Sequence, residues 1–188
     1  YTGIAVAGTH GKTTTTSMIA HILIEADHEP SYIVGGVMGN TGHNADAGTG
    51  RAFVIEADEY GNMFLGLTPQ VAVLTSVEFD HPDFFATEQE LTATFAKFIA
   101  QIPEDGLLIA CADDAGAHDF AQQHSGRAML YGIESGMWQA RQIRYETTIL
   151  RFSVYREEDY LGQATLPIPG RHNILNALAA LIVADHQG

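Results

Sequence analysis

The stretch Ile4-Ala-Val-Ala-Gly-Thr-His-Gly-Lys-Thr-Thr-Thr-Thr16 decides the fold of this chain. A short apolar run leads into two glycines three apart, then Lys12 and a ladder of hydroxyls. Behind them lie apolar residues at helical spacing. A phosphate-binding turn needs these parts in this order. A buried strand delivers the chain to a loop free of bulky side chains, Gly8 and Gly11 let the backbone wrap an anion, and a helix N-terminus aims its N–H groups at it. In such a turn Lys12 reaches the β- and γ-phosphates and the Thr13 hydroxyl sits on Mg²⁺. The longer form of the motif has a glycine where this chain has Val6, so the shorter Gly-x-x-Gly-Lys-Thr carries the signal. The plain alternative is a Gly-rich turn beside a surface lysine.

Bulk properties narrow the partners. The chain has 188 residues, enough for one domain with a sizeable core. Its formal net charge is −14, with nine Lys and Arg, which repels nucleic acid and anionic membrane. Any site for a polyphosphate must therefore be locally positive, through backbone amides, Lys12 and a metal ion. No apolar run approaches the length of a membrane span, and no basic leader precedes the first strand. Cys111 is the single cysteine, so no internal disulfide forms and a reducing cytoplasm fits. Its neighbours make it a buried strand residue without chemistry. The first strand starts almost at residue 1 and the last helix runs almost to residue 188. That is the pattern expected of one module, 1–188, excised from a longer protein.

Apolar runs alternate with helical patterns. Strands are expected over 3–7, 31–34, 53–55, 71–77, 107–111 and 128–131, with helices over 12–26, 88–102 and 114–123. Residues 35–50 form a long Gly-rich loop, a type often functional. Then come three antiparallel strands, 138–145, 148–155 and 160–166, with arginines 141, 144, 151 and 156 facing solvent, and a last helix over 171–186. The fold class is α/β: a mostly parallel P-loop-type sheet flanked by helices, with a small added antiparallel β-meander.

Ligands of open parallel sheets bind beyond the carboxyl ends of the strands. Three such ends carry unusual chemistry here. One is the phosphate loop. The second is Phe53-Val-Ile-Glu-Ala-Asp-Glu-Tyr60, where a strand runs into Glu56, Asp58 and Glu59. The third is Val73-Leu-Thr-Ser-Val-Glu-Phe-Asp-His-Pro-Asp83, with Glu78, Asp80, His81 and Asp83. Carboxylates beside apolar strand ends call for a partner or a metal, and Mg²⁺ takes few protein ligands besides phosphate and water. Helix capping, loop solvation or turn chemistry would account for each cluster singly. The last helix opens Pro169-Gly-Arg-His-Asn-Ile-Leu-Asn-Ala-Leu-Ala179, placing Asn173 and Asn176 on one face, where they cap the helix or read a ligand edge such as adenine.

Gly8-Thr-His-Gly-Lys-Thr-Thr-Thr15, Glu56-Ala-Asp-Glu59, Glu78-Phe-Asp-His81 and Gly170-Arg-His-Asn-Ile-Leu-Asn-Ala177 resemble, in order, the signatures of the Mur ligases, ATP-dependent amide-bond ligases of peptidoglycan precursor synthesis. The resemblance covers nearly the whole chain and is to the central, ATP-binding domain. His10 resembles the branch that adds L-alanine to UDP-N-acetylmuramate through an acyl phosphate, or the branch that recycles murein tripeptide onto the same sugar; Tyr60 resembles the latter. The resemblance implies ATP and Mg²⁺ as cofactors. Gly8, Thr9, His10, Gly11, Lys12, Thr13 and Thr14 would hold the nucleotide, with Asn173 and Asn176 on adenine. Thr13, Glu56 and His81 would be metal ligands, and Lys12, Glu56 and His81 the catalytic set. His10 and Asn44 would approach the sugar substrate. The implied partners are UDP-N-acetylmuramate, L-alanine, and N- and C-terminal domains for the UDP moiety and amino acid. Lys97 is out of register with a carbamylated lysine found in several branches and receives no role.

Two rivals belong to other classes. A non-catalytic ATP-binding module would keep Lys12 and Thr13 without needing Glu56, His81 and the paired asparagines. The second is a P-loop kinase or GTPase; a GTPase would need Asn-Lys-x-Asp for guanine, which this sequence lacks.

Overall fold

The computed structural model describes residues 1–80 and 84–188. Its described residues build one ten-stranded sheet in the order β10-β9-β8-β7-β6-β5-β1-β4-β2-β3. The strands are β1 (Thr2–Ala7), β2 (Ser31–Ile33), β3 (Ala45–Asp46), β4 (Ala52–Glu56), β5 (Val71–Leu74), β6 (Leu107–Cys111), β7 (Arg127–Gly132), β8 (Trp138–Tyr145), β9 (Leu150–Arg156) and β10 (Asp159–Leu166). The helices are α1 (Lys12–Glu25), α2 (Glu88–Ile99), α3 (Ala115–Gln123) and α4 (Arg171–Gln187), and a 3₁₀ segment spans Tyr60–Gly66.

From β2 to β8 neighbouring strands run parallel, and the central ones are buried along their length: β5 and β6 expose no residue. A strand covered on both faces must be apolar throughout, which is why these segments read as unbroken apolar runs. Each fully buried Ile or Leu contributes about 1.5–3 kcal/mol. The expected meander is present as β8-β9-β10, antiparallel, and it extends the main sheet through a short parallel pairing of β8 with β7.

Chain order reverses direction at β1. From β1 the chain crosses through α1 to β2, on the β4 side; from β5 it crosses through α2 and α3 to β6 and β7, on the other side. Right-handed crossovers in opposite directions put α1 and the α2–α3 pair on opposite faces of the sheet. α4 packs on α1. A ligand crevice opens where the order reverses, beyond the carboxyl end of β1. Two elements were absent from the sequence expectations: β3, inside the long 35–50 loop, and the 3₁₀ segment after Glu59. The latter turns through Gly61 and Asn62, both at positive φ.

Candidate functional site

The loop after β1 is shaped by what passes close to it. Gly8 has φ +132°, and a Cβ there would stand 2.9 Å from the Ser76 backbone. Gly11, the residue before α1, has φ +84°, and its Cβ would stand 2.6 Å from Asn176 Oδ1. Neither position accepts a side chain without strain. The loop is stapled to the segment after β5. Thr9 N donates to Ser76 O (2.9 Å), His10 N to Ser76 Oγ (3.1 Å), and Thr75 Oγ1 to His10 O (2.6 Å). Thr9 Oγ1 donates to Glu78 O (3.0 Å) and accepts from Glu78 N (2.9 Å). The His10 ring is exposed and lies 3.7 Å from the Glu78 carboxylate.

The four threonines that open α1 are divided among tasks. Thr13 Oγ1 donates to Glu56 Oε1 (2.8 Å). Thr14 lines a groove with Val37, Met38 and Asn40 of the long loop. Thr15, fully buried, donates to Asn176 Oδ1 (3.1 Å), and Thr16 donates back to Lys12 O (2.8 Å). The long-range bonds of Thr13 and Thr15 offset the modest helix propensity of β-branched residues. α1 has no side-chain cap, so its first N–H groups lie open at the loop.

The end of β4 brings two carboxylates to this loop. Glu56 accepts from Thr13 on one oxygen and from Gly35 N (2.6 Å) on the other. A Cβ at position 35 would stand 2.7 Å from Glu56 Oε2, so a larger residue there would displace the Glu56 carboxylate. Glu59 is 1 % exposed and accepts from Lys12 Nζ at 3.0 and 2.9 Å. Lys12 Nζ also donates to Gly8 O (2.7 Å). The sequence quoted Glu59 within its motif but assigned it no role, and Gly35 went unnoticed. Both act through partners 47 and 21 residues away.

Thr13 Oγ1 and the Glu56 carboxylate make a pair of hard oxygen donors at the mouth of a phosphate-type loop. That suits Mg²⁺, which completes its shell with phosphate and water. Among the described residues no group of three or more His, Cys, Asp or Glu side chains could hold a metal by itself. His81, the third expected ligand, lies outside the described residues.

Asn173 and Asn176 share the inner face of α4, as expected, and both are buried. Their amides are engaged with protein. Asn173 Nδ2 donates to Pro169 O (2.6 Å), and Asn176 Nδ2 donates to Asn173 Oδ1 (3.3 Å). Asn176 also lines a cavity of about 310 Å³ with His10, Gly11, Cys111, Tyr131 and His172. Glu78, Asp113 and Asp114 also stand on its walls. Burial pushes the Cys111 thiol up to about 11 and the Tyr131 phenol well above its ordinary value. Asp113, on the same cavity, is held by the N–H groups of Ile133 (2.8 Å) and Glu134 (3.1 Å) and by Arg171 (3.3 Å). Asp114 accepts from Val77 N (3.0 Å) and caps α3 through Ala117 N (2.8 Å). Sequence reasoning missed both; the Asp-Asp pair following an apolar strand was the available signal. Asn44 is exposed on the 35–45 loop, where its carbonyl accepts from Val34 N (2.8 Å).

A strand-loop-helix phosphate-type loop, an acidic strand end beside it and a cavity next to its helix define an α/β domain of the P-loop type. Residues 6–184 match the family model described as the Mur ligase middle domain, and the chain belongs to the Mur ligase family. It is 44 % identical over 186 residues to the UDP-N-acetylmuramate–L-alanine ligase of Rubrobacter xylanophilus, covering 99 % of this chain and 41 % of that one. With the same-named enzyme of Syntrophotalea carbinolica it shares 42 % over 183 residues, 97 % of this chain and 40 % of the relative. Among solved structures it superposes with TM-score 0.87 and 33 % identity on the UDP-N-acetylmuramate:L-alanyl-γ-D-glutamyl-meso-diaminopimelate ligase from Neisseria meningitides, covering 99 % of this chain and 61 % of that one. With the UDP-N-acetylmuramate–alanine ligase of Thermotoga maritima the TM-score is 0.85 at 27 % identity, over 100 % of this chain and 42 % of that one. The chain thus spans about two fifths of the length of the curated relatives it matches. No helix among the described residues is long and apolar enough to cross a membrane.

Proposed function

We propose that this chain is the ATP-binding core of a ligase that joins L-alanine to UDP-N-acetylmuramate. One observation carries the reading at the site: Lys12, Thr13 and the oxygens of Glu56 and Glu59 converge on one loop from two separate strands. A non-catalytic nucleotide module needs the loop alone. The substrates come from the relatives above 40 % identity, which carry that name.

The triphosphate would lie in the loop between Gly8 and Gly11, taking N–H groups from the loop and the start of α1, with Lys12 turning to its β- and γ-phosphates. Adenine would enter the cavity beside α4, where Asn176 and Tyr131 offer polar atoms. Thr13 and Glu56 would hold a first Mg²⁺ and His81 would help to hold a second, ions that neutralise charge on the phosphates when bound. The γ-phosphoryl group passes to the lactyl carboxylate and ADP leaves. The amine of alanine attacks the acyl carbon, loses a proton, and phosphate departs. The chain's share of this is in-line positioning and charge compensation. The remaining three fifths of the relatives' length would supply the N- and C-terminal domains that bind the UDP moiety and the amino acid. A reaction drawing on ATP belongs in the cytoplasm, which the single thiol Cys111 accommodates.

The recycling of a murein peptide onto the same sugar is the second reading. It is favoured by Tyr60 and by the likeness to the Neisseria ligase. Phosphate release by the full-length parent decides between them. Turnover with UDP-N-acetylmuramate plus L-alanine, and little with a murein tripeptide, supports the first; the reverse result selects the second. For the nucleotide itself, Mg²⁺-dependent binding of ATP over GTP, lost in Lys12→Ala, is expected. Equal binding of both, or indifference to Lys12, overturns it.

A further inference from the structure

We propose that Glu59 is a positioning residue that latches Lys12 away from the anion and so makes polyphosphate binding conditional on a divalent cation. The proposal rests on the nucleotide-binding reading above and adds to it a source of metal dependence.

An ammonium has three hydrogens. Those of Lys12 have three protein acceptors around them: Gly8 O at 2.7 Å and the two oxygens of Glu59 at 3.0 and 2.9 Å. The pair is shielded, with the Lys12 side chain 13 % and the Glu59 side chain 1 % exposed. The cation that a phosphate loop uses for its anion is thus already matched by an internal carboxylate. Glu56 adds a second negative group at the same mouth, 2.8 Å from Thr13 Oγ1. A bare polyphosphate would meet one neutralised lysine and one carboxylate with no salt-bridge partner among the described residues, in a chain of net charge −14. Backbone amides alone would have to outweigh that. A polyphosphate carrying a divalent cation brings its own compensation. The cation takes Glu56 and Thr13, the local field turns positive, and Lys12 can swing from Glu59 to a phosphate oxygen. Glu59 thereby selects the metal-bound ligand over the free one.

The test is calorimetric titration of the 188-residue chain with inorganic tripolyphosphate and with ATP, each in excess Mg²⁺ and in EDTA. Wild type is expected to lose at least about tenfold in affinity for both ligands when Mg²⁺ is removed, an effect the size of one partly screened charge contact. Glu59→Gln frees Lys12, so affinity in EDTA rises about tenfold and the Mg²⁺-to-EDTA ratio shrinks to a few-fold. Glu59→Asp keeps the charge and restores most of the ratio. Should Glu59→Gln not fold, the ammonium ¹⁵N–¹H signal of Lys12 in the wild-type chain is the second readout. It should be visible and slowly exchanging without ligand and shift on adding Mg²⁺-tripolyphosphate. A folded Glu59→Gln that weakens both arms equally, or a Lys12 ammonium in fast exchange, overturns the latch while leaving nucleotide binding intact. Absence of binding by wild type in every arm overturns the nucleotide reading and the latch together.

Discussion

Replacing Gly11 by alanine tests how the phosphate loop is held against the last helix. Two costs are separable. Gly11 has φ +84°, and placing an L side chain there costs about 1–2 kcal/mol. The new Cβ would also come within 2.6 Å of Asn176 Oδ1, which must move. That oxygen accepts from the fully buried Thr15 hydroxyl, so its displacement leaves the hydroxyl unpartnered, at about 1–3 kcal/mol. Gly11→Ala should therefore destabilise the chain by about 2–5 kcal/mol, a large share of the roughly 5–15 kcal/mol typical of a domain.

Gly42→Ala is the control. Gly42 has φ +73° and nothing within 4 Å of its Cβ position, so only the backbone cost of about 1–2 kcal/mol applies. Urea denaturation of both variants, and of Gly11→Ala in an Asn176→Ala background, closes the cycle. Asn176→Ala costs about 1–3 kcal/mol by itself, because Thr15 loses its acceptor. In that background the methyl introduced by Gly11→Ala has room, and its cost should fall to that of Gly42→Ala, a coupling of about 1–3 kcal/mol. If Gly11→Ala costs no more than Gly42→Ala, or costs the same with and without Asn176, then the close approach of loop and helix is not what requires glycine.

Three further outcomes are expected. Glu56→Gln keeps an oxygen for the Gly35 N–H and turns an amide donor to the Thr13 hydroxyl, but removes the charge, so Mg²⁺-ATP affinity should fall by about tenfold with little change in melting temperature; an unchanged Mg²⁺ dependence by calorimetry would remove Glu56 from the metal site. Thr87→Ala deletes the cap that accepts from Glu90 N at 3.2 Å, which should cost about 1 kcal/mol and lower the melting temperature by about 2–4 °C in differential scanning calorimetry. Burial raises Cys111 from 9.0 to about 11, so the native thiol stays protonated where the unfolded one ionises. Its contribution is complete below pH ~9 and is lost as pH rises towards ~11, by about 2–3 kcal/mol in all, and Cys111→Ala should flatten that part of the urea-measured stability profile.

The parallel core was legible because burial on both faces forces unbroken apolar runs, and β1, β5 and β6 show them without interruption. β3 was not, because two residues carry no period, and its pairing with β2 is set by where the loop returns. The 3₁₀ segment depends on Gly61 and Asn62 at positive φ within a stretch whose side chains mix both periods. At the site, residue types that announce chemistry (Lys12, Thr13, Glu56) could be read directly. The placement of Asn173 and Asn176 on one inner face followed from helical spacing. Their partners did not: Asn176 meets Thr15 across 161 residues of chain. Gly35 carried no signal beyond being a glycine in a Gly-rich loop.

Strand order explains why the three acidic and hydroxyl-bearing ends converge. β1 lies between β5 and β4, all parallel, so the loops that follow them leave the sheet at one edge. Register holds them level: Ala7 pairs with Leu74 and Val6 with Glu56. A shift of one residue at β4 would turn Glu56 to the other face. Its bonds to Thr13 and Gly35 would then be lost together, and the anion cradle would keep its backbone while losing its hard-oxygen pair. In a chain of net charge −14, a loop that binds anions but lacks that pair has no means of recruiting a cation to offset the surrounding carboxylates. The pairing of β1 with β4 is therefore part of what builds the candidate site, and its tolerance to substitution should track that of Glu56 and not that of the sheet as a whole.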